Sequence, residues 1–231
     1  MGKAVLPQCE PAYPTVSLIS SVFRGDEFLD GFLANMAALE GYGQCEHWLI
    51  RAASPGDEHA RLVAHVRAHP AAVYVNLSQD PGLYEVWNLG VRLATGRYLS
   101  NANIDDRRAP GQLARLQQVL QRHPEVSVAS TPLRLSSQKN SSWEQSAACP
   151  VWPAGVGEQV YGAALLFRET PQGLAPRNLP HCMPVWRRGV HAFVGEFDER
   201  RYGSSADWAF WLKAAHRGVQ FHIGGQALGV Y

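Results

Sequence analysis

Short apolar runs alternate along this chain with stretches in which apolar residues recur every three or four positions. Thr15-Val16-Ser17-Leu18-Ile19-Ser20-Ser21 reads as a buried strand, after which Phe28, Leu29, Phe32, Leu33, Met36 and Leu39 fall at helical spacing. His47 to Ile50 predicts a second strand, Asp57 to His69 a helix stopped by Pro70, and Ala72 to Asn76 a third strand. Leu83 to Ala94 then predicts a helix stopped by Gly96, and Arg97 to Asn101 a fourth strand. Short strands separated by helices of roughly 12 residues predict a mostly parallel sheet covered on both faces, because parallel neighbours need a crossover long enough to hold a helix.

Past Asp105 and Asp106, Pro110 opens a helix carried by Leu113, Leu116, Val119 and Leu120 that ends before Pro124, and Val126 to Ala129 is a fifth strand. The regular pattern stops there. Ser136 to Gly157 is rich in Ser, Gln, Asn, Pro and Gly and predicts a mobile loop, a candidate lid, before the apolar pattern resumes at Tyr161 to Phe167. The last helix runs from about Ser205 to His216, stopped by Gly218, with strand-like Val219 to Ile223 and Ala227 to Tyr231 behind it. With 231 residues, 46% of them hydrophobic, the chain can bury one sizeable core. The reading is a single α/β domain over residues 14–231, preceded by an N-terminal extension over 1–13.

Charge narrows the partners. Twenty-one basic residues against 20 acidic ones leave a net charge of +1, so no basic field points to nucleic acid or a membrane surface. A phosphate ligand must therefore be met by local groups. Cys9, Cys45, Cys149 and Cys182 lie far apart without a CxxC spacing, which argues against a zinc site or a disulfide scaffold and suits free thiols in a cytoplasmic setting. Neither a signal peptide nor an apolar run long enough for a membrane span is visible.

The most informative stretch is Tyr98 to Asp106, where an apolar run ends in two carboxylates just ahead of a new helix. Open parallel sheets bind ligands at the carboxyl ends of their strands, and a hard divalent cation shared with substrate phosphates needs only one or two protein carboxylates. Asp105 and Asp106 are such an anchor on one reading and turn or capping residues on the other. Asp207, in Ser204-Ser205-Ala206-Asp207, likewise sits in a capping-box pattern. Trp208, Trp211 and Leu212 share one helical stripe and read as core. His65 and His69 are four apart on a helix, but Val66 stands where a metalloprotease carries its glutamate, so a solvated face is expected. Neither GxGxxG nor GxxxxGK occurs, which counts against dinucleotide and P-loop readings.

Several stretches, in order, resemble a family 2 glycosyltransferase of the GT-A fold: Thr15 to Ser21, Gly82 to Gly90 leading to Ala94-Thr95-Gly96-Arg97-Tyr98, and Asn103-Ile104-Asp105-Asp106 with Pro110. The likeness continues through Met183-Pro184-Val185-Trp186-Arg187-Arg188, Gly195 to Glu199, and Ser205 to Lys213, and so covers roughly 14–231. It implies a Rossmann-like GT-A domain acting in polysaccharide biosynthesis or related transfer. The donor would be a nucleotide-diphosphate sugar, a UDP-sugar foremost, and the acceptor a sugar, a lipid-linked hydroxyl or a small molecule, with Mn²⁺ or Mg²⁺ as cofactor. In that family the acid five residues before the proline is the metal-binding member of the DxD motif, here Asp105 with Asp106 beside it. Asn103 would face the ribose, Ser21, Arg24 and Asn88 would lie on the donor side, and Trp186 and Arg187 near the acceptor. Asp207 matches the general base of an inverting displacement.

The sequence departs from the pattern at Leu49 to Asp57, which lacks the base-touching acids that usually end the second strand, and at Asn103, Trp87 and Ala206, where an acid, an arginine and an acid are common. Relatives usually continue beyond the point matching Tyr231, so further domains of a longer chain are expected. Two rivals follow: a non-catalytic sugar-nucleotide or glycan-binding module with a degenerate site, and a nucleotidyltransferase. The second lacks its glycine-rich basic activation loop here.

Overall fold

The computed structural model describes residues 15–162 and 166–231; the expected N-terminal extension over 1–13 lies outside them. Strands β1 (Val16–Val22), β2 (Glu46–Ala52), β3 (Ala72–Leu77) and β4 (Tyr98–Asn101) are linked by helices α1 (Leu29–Ala37), α2 (Glu58–Ala68) and α3 (Leu83–Leu93). There follow β5 (Arg107–Arg108), α4 (Gln112–Arg122), β6 (Val126–Ser130), β7 (Leu133–Arg134), β8 (Val151–Trp152), β9 (Gln159–Tyr161), β10 (Phe167–Thr170) and β11 (Gly173–Pro176). The chain closes with β12 (Val185–Arg187), α5 (Val190–Val194), α6 (Glu199–Tyr202), α7 (Ala206–His216), β13 (Gln220–Ile223) and β14 (Gly229–Val230).

The central sheet has the order β3-β2-β1-β4-β12-β6-β13-β9. β12 runs antiparallel between β4 and β6, and β9 is an antiparallel edge, while the remaining pairs are parallel. A smaller sheet, β5-β14-β7-β8, and the hairpin β10-β11 stand beside it.

The alternation that predicts β1 also sorts its side chains. Val16, Leu18 and Val22 pack with Phe32, Met36, Leu62 and Leu113 of α1, α2 and α4 on one face. Ile19 points the other way, to Trp87, Trp186, Val190 and Trp211 under α3, α5 and α7. The result is the predicted three-layer α/β arrangement. α3 lies unusually close to β1, because any Cβ on Gly90 would collide with Ile19. That close approach carries Tyr84 and Trp87 to the carboxyl ends of the strands.

Several expectations change. His65 is buried rather than solvated: its Nε2 is 2.8 Å from the Tyr42 hydroxyl, which lies 2.7 Å from Nδ1 of fully buried His47. His47 Nε2 in turn meets Ser20 Oγ at 2.8 Å, and Ser20 donates to the Ala102 carbonyl at 2.6 Å. This chain of bonds compensates the buried imidazoles, which sequence spacing does not show. Burial holds His47 down to about 3 and His65 to about 4. The segment expected as a loop from 136 to 157 contains a 3₁₀ turn at Gln145–Ala148 and β8, with the Arg134 guanidinium 3.5 Å from the centre of the Trp143 ring. Trp152, Pro153 and Ala154 face the cavity described below. The β10-β11 hairpin is not foreseen, and β14 takes only part of the expected terminal strand. Among the described residues no helix is long and apolar enough to cross a membrane.

Candidate functional site

The carboxyl ends of β1 and β4, the start of α3 and the start of α7 surround a cavity of about 1310 Å³. That exceeds the roughly 300–1,000 Å³ of a site for one drug-sized ligand and leaves room for two substrates. Ser21, Arg24, Asn103, Asp105 and Asp207 all line it, so most of the sequence-selected residues share one space.

The two adjacent aspartates part company. Asp105 is exposed on the cavity wall, whereas Asp106 is 3% exposed and absent from it. Asn103 Nδ2 donates to Asp106 Oδ2 at 2.9 Å, and the Arg107 guanidinium ties the turn through the Ile104 and Asp106 carbonyls at 2.9 and 2.7 Å. Burial, reinforced by the charge of Asp105, pushes the Asp106 carboxyl up to about 6. Asp106 is thus a support beneath Asn103, and the expected metal contact from it is corrected: adjacent residues in a tight turn face opposite sides. Among the described residues no group of three or more His, Cys, Asp and Glu side chains is placed to hold a metal. One exposed carboxylate fits a hard cation that draws its other ligands from substrate oxygens and water.

Asp207 opens α7 with a side chain 15% exposed. Its Oδ2 accepts from Asn178 Nδ2 at 2.7 Å, its Oδ1 lies 3.1 Å from the Tyr84 hydroxyl, and the His181 ring approaches Oδ2 at 3.8 Å. Burial alone raises its pKa, but the His181 and Asn178 contacts and the Trp208 backbone N–H outweigh that, and the carboxyl is held below the usual range. Its oxygens are committed to Asn178 and Tyr84 rather than to a reciprocal capping box, and Ser205 makes no side-chain cap. The site therefore holds an ionised, oriented carboxylate on the wall of this cavity.

Other expected residues lie elsewhere. Asn88 is 1% exposed and clamps the backbone of Phe197, donating to its carbonyl and accepting from its N–H, both at 2.9 Å. It acts on the cavity only through Phe197, which lines it. Trp186 is 1% exposed and packs edge-on against Trp211 with ring centres 5.5 Å apart. Arg187 donates to the carbonyls of Val126 at 2.8 Å and Leu120 at 2.5 Å, closing the end of α4. The acceptor role expected of Trp186 and Arg187 is corrected, because β12 lies in the middle of the sheet and its side chains enter the helical layers. Tyr84, Asn178 and His181 were given no role by the sequence; Asn178 and His181 fall in an irregular stretch with no periodicity to mark them.

No family model and no curated protein matches the chain. Solved structures do. S. aureus TarS 1–349 in complex with UDP aligns at 15% identity with a TM-score of 0.71, covering 94% of this chain and 60% of that one. The complex of the same TarS fragment with UDP-GlcNAc aligns at 12% identity with a TM-score of 0.69. The mannosyltransferase PcManGT from Pyrobaculum calidifontis, in complex with GDP-Man and Mn²⁺, aligns at 17% identity with a TM-score of 0.68, over 95% of this chain and 57% of that one. The chain thus spans about three fifths of the length of these structures. At such identities the likeness speaks for architecture, and the chain has the GT-A fold.

Proposed function

We propose that the chain transfers a sugar from a nucleotide-diphosphate donor to an acceptor hydroxyl with inversion at the anomeric carbon. The observation that carries this reading is Asp207: an ionised carboxylate, held by Asn178 and Tyr84, on the wall of the same cavity as Asp105. Asp207 takes the proton from the acceptor hydroxyl as that oxygen bonds to the anomeric carbon, while the bond to the diphosphate oxygen breaks and its electron pair leaves with the nucleoside diphosphate. His181, Asn178 and the Trp208 N–H keep Asp207 deprotonated, and the bonds to Asn178 and Tyr84 keep it aimed, so little reorganisation is needed when the proton moves.

Asp105 would hold Mn²⁺ or Mg²⁺ together with the donor's own diphosphate oxygens, and such a cation offsets the charge that develops on the leaving group. Asn103 uses one Nδ2 hydrogen on Asp106, and its Oδ1 is the atom that can accept from a ribose hydroxyl. Ser21 and Arg24 line the same cavity, with Arg24 able to meet phosphate. The complexes of UDP, UDP-GlcNAc and GDP-Man with the similarly folded proteins support a donor of this class. The acceptor is a glycan, a lipid-linked or a small-molecule hydroxyl.

The test is Asp207→Asn, assayed both for donor binding and for turnover. Donor affinity is expected to stay while transfer falls about 10²–10⁴-fold, the range of a positioned base. Transfer at the wild-type rate would remove Asp207 as the base and favour the binding-module reading.

A further inference from the structure

Two arginines on the cavity wall are left unexplained by donor binding. Arg168 lies on β10 and Arg177 just beyond β11, and both line the cavity. In the hairpin register Arg168 faces Ala175, and the ladder continues past β11 through the Arg177 N–H, which donates to the Leu166 carbonyl at 2.7 Å. Arg177 is two residues from Ala175, so the two arginines stand on one face of the ribbon as diagonal neighbours, an arrangement that sets residues roughly 7–8 Å apart. Glu169, the acid nearest in sequence, faces Leu174 on the other side of the ribbon.

Among the described residues neither guanidinium has a hydrogen-bond or ion-pair partner. Two like charges side by side without a counter-charge repel one another, and five N–H donors on each stay unsatisfied by protein. An anion between them offsets the repulsion and takes up donors that otherwise face water. Its position in the site follows from the sequence: Arg177 adjoins Asn178, whose amide holds Asp207.

We propose that Arg168 and Arg177 receive an anionic group, phosphate or carboxylate, carried by the acceptor beside its attacking hydroxyl. This deepens the reading above and rests on Asp207 marking the acceptor's position. Guanidinium forks suit both anions, since each presents two oxygens to paired N–H donors.

The experiment titrates glucose, glucose 6-phosphate and glucuronate into the chain saturated with UDP and Mn²⁺, by calorimetry. The charged sugars are expected to bind about tenfold or more tightly than glucose, the gain of a charge-assisted hydrogen bond, and the better of the two identifies the anion. In Arg168→Gln/Arg177→Gln that preference disappears; Arg→Lys at both positions, which keeps the charge but not the fork, retains part of it. Equal affinities for the three sugars, or a preference that survives the double glutamine variant, overturns the proposal. So does a loss of UDP affinity in that variant, which would assign the arginines to the donor diphosphate. If the wild-type chain fails to bind UDP, the transferase reading falls instead, and the same titrations without UDP still decide whether the arginine pair selects anions.

Discussion

Acidification should destabilise this protein through His47, and the size of the effect follows from its burial. His47 is completely inaccessible and bonded on both ring nitrogens, with its pKa lowered from 6.5 to about 3 by desolvation and by the neighbouring charges of His65, Arg108 and His69. A group whose folded pKa is depressed binds fewer protons folded than unfolded, so its contribution is intact above pH 6.5 and is lost as pH falls toward 3. Integrating between those values gives a loss on the order of 2 kcal/mol by pH 5 and 3 kcal/mol by pH 4, against a total stability of roughly 5–15 kcal/mol. Asp106 works the other way: its pKa is raised to about 6, so it binds a proton more readily when folded and adds stability as pH falls through that range. Comparison with His47→Gln cancels that opposing contribution. Gln cannot titrate but can still donate to Ser20 and accept from Tyr42, so the variant should be less stable at pH 7 and lose less on acidification. Urea unfolding followed by tryptophan fluorescence at steps from pH 7 to 4 measures both. The wild type should lose about 3 kcal/mol more than the variant over that interval; parallel curves for the two proteins would refute the argument.

Three further outcomes separate roles within the site and the fold. Asp106→Asn should keep metal-dependent nucleotide binding, whereas Asp105→Ala should abolish it; the reverse order in a calorimetric titration would restore Asp106 as the metal ligand. Arg187→Ala should lower stability by about 1–3 kcal/mol, because the Leu120 carbonyl of α4 and the Val126 carbonyl of β6 lose a charged donor, while the acceptor KM stays unchanged; a raised KM at unchanged stability would return Arg187 to the acceptor site. Gly90→Ala should cost roughly 1–3 kcal/mol through overpacking against Ile19 and also lower turnover, because α3 carries Tyr84; a neutral effect on thermal unfolding would show that α3 can shift freely.

The first four strands and three helices were legible because each carries a clean period and an identifiable stop, as at Pro70 and Gly96. β1 even shows in sequence which residues face which layer. What escaped was of four kinds. Two-residue strands such as β5 and β8 are too short for any period, and the β10-β11 hairpin exposes Arg168, Glu169 and Leu174, so no buried face marks it. Trp186 and Arg187 were placed by motif near the acceptor, but a motif does not say whether a central strand presents its side chains to the cavity or to the helices. Asp105 and Asp106 differ only in which side of one turn they face, a matter decided by the Asn103 and Arg107 bonds rather than by residue type. Asp105 and Asp207 both line the cavity, and the roles proposed for them await the tests above. Asn178, which orients Asp207, sits in irregular chain where only long-range contacts give a residue meaning.

The most direct test of the central claim is calorimetric titration of the chain with UDP and with GDP, each in Mn²⁺ and again in EDTA. Binding of at least one nucleotide in Mn²⁺, lost in EDTA and in Asp105→Ala, is the predicted result. Failure of both nucleotides to bind in either buffer, or binding indifferent to metal and to Asp105, would contradict a metal-assisted nucleotide-sugar site at the carboxyl end of β4.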